Sequence, residues 1–440
     1  MTQPISVQLK ELLRLSAPVI ASRTGIMLMS VVDVIFLGHT DAVQVAFMAI
    51  GGMPIGTIIV ATIGLMVGTM VEVSYASGAG EERECGRIWR RSLPYALVVG
   101  IAGAILCLFG EPFLLWTGQE KHIAAGAARM LAVLGFCLPG TALFLTTTFF
   151  LEAIKRPVPG MLTIILANFL NAALNWVFVF GHLGAEPMGA VGSALATAIT
   201  RVAMAAGLIA YVLTMADRAR WGVRGPVSDY WRGGAKARAM GYATGVSYGL
   251  EAAAFGSMSL FAGWLGALPL AAWGIVLNAM SLTFMTAVGL GVGTAVRVGH
   301  ARGRGALREM ATAGWLGLGA TVAAMGAVSL LFYFFPREIA AIYTDDPALL
   351  ALTAGMFVMA AWVMTVDGGQ GVMLSAVRGT SDAWIPTAMH FTAYFGVMIP
   401  LAWILAFPAG LGAKGLFLAI FFASIVAVSL LSWRFRQRCR

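Results

Sequence analysis

Three carboxylates, Asp33, Glu251 and Asp367, stand inside long apolar stretches of this chain. A carboxyl shielded from water is costly to ionise, so it either holds a proton or keeps a cation beside it. A group that can hold a proton, a sodium ion or a cationic organic molecule, but only one of these at a time, couples their movements. A second polar set lies in ANFLNAALNWVFVFG, where Asn171 and Asn175 are four residues apart and Asn168 one turn earlier. On a helix the amides of Asn171 and Asn175 share a face, where their oxygens suit a hard cation or a carboxyl. Hydrogen bonding between helices accounts for the pair equally well.

Other chemistries lack their residues. The five histidines are scattered singly without an HExxH, and the four cysteines, Cys85, Cys107, Cys137 and Cys439, show no metal-ligand spacing. The run GGMPIGT at Gly51 has phosphate-loop glycine spacing but no lysine. No clustered His, Ser and Asp suggests a membrane enzyme, so no catalytic residue and no cofactor are expected. Glu72 and Glu152, near span ends, read as loop anchors, and Arg23 and Arg201, inside spans, as buried pairing groups.

The elements that position these residues are helices in a membrane. The chain of 440 residues is 59% hydrophobic and 11% charged, less than half the charge of an ordinary soluble domain, which is roughly 25%. Apolar stretches of about 20 residues, long enough to cross the hydrocarbon layer, fall near 14–37, 46–71, 93–115, 130–151, 160–181 and 190–215. Six more fall near 240–264, 270–297, 312–335, 349–375, 384–407 and 411–433. The 24 methionines suit an adaptable apolar surface.

The two sets of six are copies. GLMVGTMVEVSYASGAG at Gly64–Gly80 aligns without a gap on GLGVGTAVRVGHARGRG at Gly289–Gly305, with ten of seventeen positions identical at an offset of 225. Gly38/Gly263, Ala42/Ala267 and Ile50/Ile275 keep that offset, and Gly189, Ala190 and Gly192 meet Gly412, Ala413 and Gly415 at 223. A constant offset over several windows is difficult to obtain by chance. The glycines of the repeat read as close helix packing and turn formation. The expected fold is an all-α integral membrane protein of 12 transmembrane helices in two six-helix lobes. An even number of spans per copy implies a pseudo-twofold axis along the membrane normal.

Placing the N-terminus inside puts 23 of the 29 Lys and Arg on the cytoplasmic side, with four outside and two within spans, as the positive-inside rule requires. Both termini are then cytoplasmic in a plasma (inner) membrane. The net charge of +9 is a matter of topology, and a nucleic-acid partner is excluded because no soluble basic module is present. The expected organisation is an N-lobe at 1–215, a basic cytoplasmic linker at 216–239, a C-lobe at 240–433 and a basic tail at 434–440. No cleavable leader is read in the polar first twelve residues.

LSAPVIASRTGIMLMSVVDVIFLGHT, NAALNWVFVFG followed by GAVGSALAT, VGTAVRVGHARGRG and VDGGQGVMLSAVRGTSDAWIP resemble the multidrug and toxic compound extrusion (MATE) family over residues 10–433. The carboxylates Asp33, Glu251 and Asp367 make the chain most similar to its NorM-like branch. Archaeal and DinF-like members carry an Asp where this chain has Asn175. The resemblance implies a multidrug efflux antiporter working by alternating access, exporting amphipathic, cationic small molecules against Na+ or H+, and functional as a monomer. It also implies an N-lobe polar site of Asp33, Asn171, Asn175 and Thr197 and a C-lobe site of Glu251 and Asp367, with Na+ held at one or the other. Two departures stand out: Val363 where the branch carries a tyrosine one turn before Asp367, and Trp273–Gly274 where a His–Gln pair is usual. A lipid-linked oligosaccharide flippase of the wider superfamily is the alternative, and an integral membrane enzyme the remote one.

Overall fold

The computed structural model describes residues 4–226 and 229–440, and every regular element among them is helical. In chain order these are α1 (Ile5–Gly38), α2 (Ala42–Gly78), α3 (Glu82–Leu108), α4 (Gly110–Trp116), α5 (Lys121–Gly135) and α6 (Cys137–Ala153). There follow α7 (Val158–Phe180), α8 (Gly189–Thr214), the short α9 (Tyr230–Gly233), α10 (Ala235–Trp264), α11 (Ala267–Gly303) and α12 (Leu307–Phe334). The last are α13 (Pro336–Ala341), α14 (Pro347–Gly379), α15 (Trp384–Phe391), a π-helical segment (Thr392–Met398), α16 (Ile399–Ala406) and α17 (Ala413–Arg438).

Each of the twelve expected spans falls on a helix or on a run of two or three consecutive helical elements. Ten are long and apolar enough to cross a membrane, and α5 with α6 makes an eleventh, bent by 41°. The bend has a cause in Pro139, whose ring in a straight helix would clash with the carbonyl of Gly135 four residues back and whose missing N–H removes one rung of the ladder. The twelfth, α10, has 30 residues, ample to span, but Glu251 and its serines and glycines dilute its apolar character. The π-helical turn before Pro400 is explained in the same way: a proline cannot close the usual ladder, and the backbone upstream widens.

Contacts divide the described residues into two compact units, Ala21–Gly245 and Met1–Ile20 with Val246–Arg440. The division falls within α1 and within α10, so that each compact unit contains the start of the helix that continues into the other.

The repeated glycines account for this. In the first unit a Cβ on Gly64 would lie 2.6 Å from the Cα of Gly245, and one on Gly68 1.8 Å from the carbonyl oxygen of Ala237. Only glycine lets the backbone at the start of α10 approach α2 so closely. In the second unit Gly289 meets Ile20, with its backbone N 2.9 Å from such a Cβ, and Gly293 meets Ser16 and Leu12. The contact partners obey the same offset as the glycines: Ile20 corresponds to Gly245 and Leu12 to Ala237. Gly80 and Gly305, which close the two copies, have φ of +80° and +69°, a conformation costly for any side chain.

Candidate functional site

In the unit Ala21–Gly245 the elements α1, α7 and α8 bring together Asp33, Asn171, Asn175 and Thr197, each no more than 5% exposed. Asn175 Nδ2 donates to Asp33 Oδ1 at 2.7 Å, and Thr197 Oγ1–H donates to Asp33 Oδ2 at 2.9 Å. Asn171 Nδ2 donates to Thr197 Oγ1 at 3.2 Å, while Asn175 Nδ2 also reaches the Asn171 carbonyl at 3.0 Å and Oδ1 at 3.2 Å. The helical spacing of four puts the two amides one above the other, facing the carboxylate.

Each Asp33 oxygen therefore has a neutral donor, and among the described residues no basic side chain is hydrogen-bonded to it. Arg201 acts on it through space, its Nη1 donating to Thr141 Oγ1 at 3.3 Å while its Nε has no hydrogen-bond partner among the described residues. Asn175 Oδ1 is buried and accepts no hydrogen bond from any described residue. A buried amide oxygen normally finds a donor; one left open beside a carboxylate and the Asn171 amide is an oxygen set that suits a small hard cation. Asn168, by contrast, donates to the carbonyls of Gly25 and Ile164, which ties α7 to α1.

The two arginines within the spans part company. Arg23 Nη2 reaches both Glu152 oxygens, at 3.0 and 3.3 Å, and its guanidinium lies 5.4 Å from the Phe149 ring centroid. Glu152, read from sequence as a loop anchor, is thus the counter-ion of Arg23, and the pair joins α1 to α6.

In the other unit Asp367 is 5% exposed and accepts from Ser424 Oγ at 3.0 Å and Gln370 Nε2 at 3.3 Å. Gln370 Nε2 also donates to Tyr394 Oη at 3.1 Å, and its Oε1 lies 2.9 Å from His390 Nε2. His390 Nδ1 is 3.0 Å from Ser247 Oγ. The π-helical segment carries Tyr394, one turn from His390, with the two rings 5.0 Å apart. Glu251, half-buried on α10, lies within electrostatic reach of Asp367 and of Arg378 but hydrogen-bonds to no described residue. Val363, at the departure noted above, is fully buried and offers no oxygen. Trp273, the other departure, donates from Nε1 to Ser259 Oγ at 2.9 Å.

Sequence reasoning missed Gln370, His390, Tyr394, Ser424 and Ser247. A signal was present for the first three: Asp367 and Gln370 are three apart and His390 and Tyr394 four apart, spacings that align side chains on one helix face.

Charged and amide groups held inside long apolar helices define a polytopic α-helical membrane protein with two internal polar centres. A family profile described as MatE matches residues 18–177 and 243–404. The chain belongs to the MatE family. It is 39% identical to a protein of Caulobacter vibrioides named probable multidrug resistance protein NorM, over 99% of this chain and 92% of that one. It is 30% identical to a protein of the same name from Rhizobium meliloti, over 97% and 93% of the two chains. The fold is similar to the crystal structure of the eukaryotic MATE transporter AtDTX14, with a TM-score of 0.90 at 19% identity over 99% and 98% of the chains. An outward-facing multidrug resistance MATE family transporter gives 0.90 at 18% identity over 98% and 96%.

Proposed function

We propose that this chain is a secondary active efflux transporter that exchanges an amphipathic, cationic small molecule for H+ or Na+. The carrying observation is Asp33, a buried carboxylate given only neutral donors. Its charge is balanced when a proton, a metal ion or an organic cation arrives, and the three exclude one another. The names of the relatives support a multidrug cargo. A sodium ion would be held by Asp33 with the side-chain oxygens of Asn171 and Asn175, and Thr197 would keep the carboxylate oriented. Asp367, with Glu251 nearby, is the corresponding centre of the second half.

The protein acts as a monomer in the plasma (inner) membrane with both termini cytoplasmic, the basic segments 216–239 and 434–440 lying inside. In chain order its lobes are 1–215 and 240–433, with the starts of α1 and α10 each belonging to the compact unit of the other lobe. No cofactor is needed, since the ion gradient supplies the work.

The test is export of a fluorescent organic cation from proteoliposomes with a proton or a sodium gradient imposed separately. Asp33→Asn keeps the shape and removes the charge. Gradient-driven export should fall to the level of empty vesicles while the purified variant stays folded; export undiminished by Asp33→Asn sinks the assignment.

A further inference from the structure

The polar chain in the second unit has a direction. Gln370 Oε1 faces His390 Nε2, so that ring nitrogen carries the hydrogen and Nδ1 accepts from Ser247 Oγ–H. The Gln370 amide nitrogen then faces Asp367 and Tyr394. Every hydrogen bond from Ser247 through His390 and Gln370 runs toward Asp367, as it must for an ionised carboxylate, which only accepts. Ser424 adds one more donor.

All four members are at least 95% buried, so no water shell absorbs a mismatch, and a donor facing a donor costs the full desolvation of an unmade bond. When Asp367 takes up a proton its carboxyl becomes a donor. The Gln370 amide facing it is then best placed with its oxygen inward and its nitrogen toward His390. His390 Nε2 must now accept, its hydrogen moves to Nδ1, and Nδ1–H donates to Ser247 Oγ. Tyr394 Oη–H donates to Gln370 Oε1 in place of accepting from Nε2. One proton is added, none is lost, and every group again has a partner.

We propose that His390 is a positioning residue of the ion-coupling reaction: by exchanging tautomers it reverses the Ser247–His390–Gln370–Asp367 chain, so that α10 registers whether Asp367 holds a proton. The inference rests on the antiport reading and names the ion at this centre. In the present direction two donors, from Gln370 and Ser424, meet at Asp367 Oδ1, which opposes a metal ion there, whereas a proton is accommodated by reversal alone. Other charged and titratable groups of this cluster are Tyr394 on the π-helical segment, its ring 5.0 Å from that of His390, Arg378 on α14, and Tyr248 and Glu251 on α10 within electrostatic reach of Arg378. Arg378 lies over the Tyr248 ring, 5.0 Å from its centroid, with no hydrogen-bond partner for Nε or Nη2 among the described residues.

The experiment uses the full chain in lipid nanodiscs with ¹⁵N-labelled histidine. Asp367 protonation is followed by its carboxyl infrared band, identified by its loss in Asp367→Asn. The His390 ring resonances are identified by their loss in His390→Phe. Expected is an interchange of the protonated and unprotonated ring nitrogens over the pH range in which the Asp367 band appears, and no interchange in Asp367→Asn. In proteoliposomes, His390→Phe should displace the pH midpoint of export by about one unit, tenfold in proton affinity. His390→Gln, whose amide can also turn end for end, should restore it.

A single neutral tautomer throughout the Asp367 transition overturns the proposal, as does an imidazolium on its protonated side. Should His390→Phe not fold, the wild-type spectra and Asp367→Asn decide it. The spectra need no substrate, so an interchange without export condemns the transport reading alone, and export without an interchange condemns this one alone.

Discussion

Removing Arg23 should be among the most damaging single changes in the unit Ala21–Gly245. Its side chain is 10% exposed and that of Glu152 only 2%, with contacts at 3.0 and 3.3 Å. At 3 Å and an effective dielectric of about 20 the attraction is roughly 5 kcal/mol, and truncating one partner of such a pair typically costs about 3–5 kcal/mol because the other charge is left buried. The Phe149 contact adds on the order of 1 kcal/mol. Arg23→Ala should therefore lower the unfolding midpoint in detergent by on the order of 10 °C for a unit of this size. Glu152→Leu alone should do likewise. The combination Arg23→Met with Glu152→Leu, which leaves no orphaned charge, should recover most of the loss, giving a coupling energy of about 2–4 kcal/mol in the double-mutant cycle. Single losses below about 0.5 kcal/mol that simply add would show the two groups to be spectators and would refute the argument that they pin α1 to α6.

Gly68→Ala should destabilise by about 1–3 kcal/mol or more, because the added methyl would stand 1.8 Å from a backbone carbonyl that cannot rotate away. Gly293→Ala, its repeat partner, meets the Ser16 hydroxyl at 2.3 Å, a side chain that can turn, and should cost less; Gly52→Ala, with nothing within 4 Å, should be neutral or gain up to about 1 kcal/mol of helix propensity. Thermal midpoints of the three in one detergent check the order. Asp217 lies outside the spans. Burial acts to raise its pKa, but donors from Arg156 at 2.8 and 2.6 Å and Trp221 Nε1 at 2.7 Å outweigh it and hold the carboxyl below its ordinary 3.8. A depressed folded pKa stabilises above the unfolded value and is lost as pH falls through the folded one. Hydrogen-exchange protection of residues 215–225 should therefore be flat from neutrality to about pH 5 and drop below the ordinary carboxylate range, and Asp217→Asn should show the reduced protection already at pH 7.

The helices were legible because a span announces itself within 20 consecutive residues, and so was the shared face of Asn171 and Asn175, since a spacing of four is local information; that this face meets Asp33, 142 residues away, was implied by the family resemblance alone. What escaped was decided by tertiary approach. Ser424 lies 57 residues from Asp367, and Glu152 lies 129 from Arg23; no local pattern joins them. The exchange of helix starts was hidden for a different reason. Gly64 and Gly68 announce that something packs closely on α2 without saying what, and chain order suggests a neighbour from the same half. Only the matching approach of Gly245 and Ala237 identifies the start of α10.

The two halves kept their backbone and changed their chemistry, and the offsets show where. The packing glycines persist at 225, as do the positions they receive. Asp33, however, falls on Met258, and Glu251 falls back on Ile26. At the 223 offset Asn171 falls on Tyr394 and Arg201 on Ser424, so the same two places in each copy are polar, yet with different donors. In the first unit the carboxylate sits on the first helix among amides and a hydroxyl, with an open amide oxygen beside it. In the second it moves to α14 and is reached through an imidazole whose hydrogen can change sides. An amide oxygen suits a metal ion as readily as a proton; a tautomer chain answers to a proton alone. On this argument the duplicated scaffold carries two centres of unequal selectivity, and sodium dependence, where it occurs, should trace to Asp33 and Asn175 and survive His390→Phe.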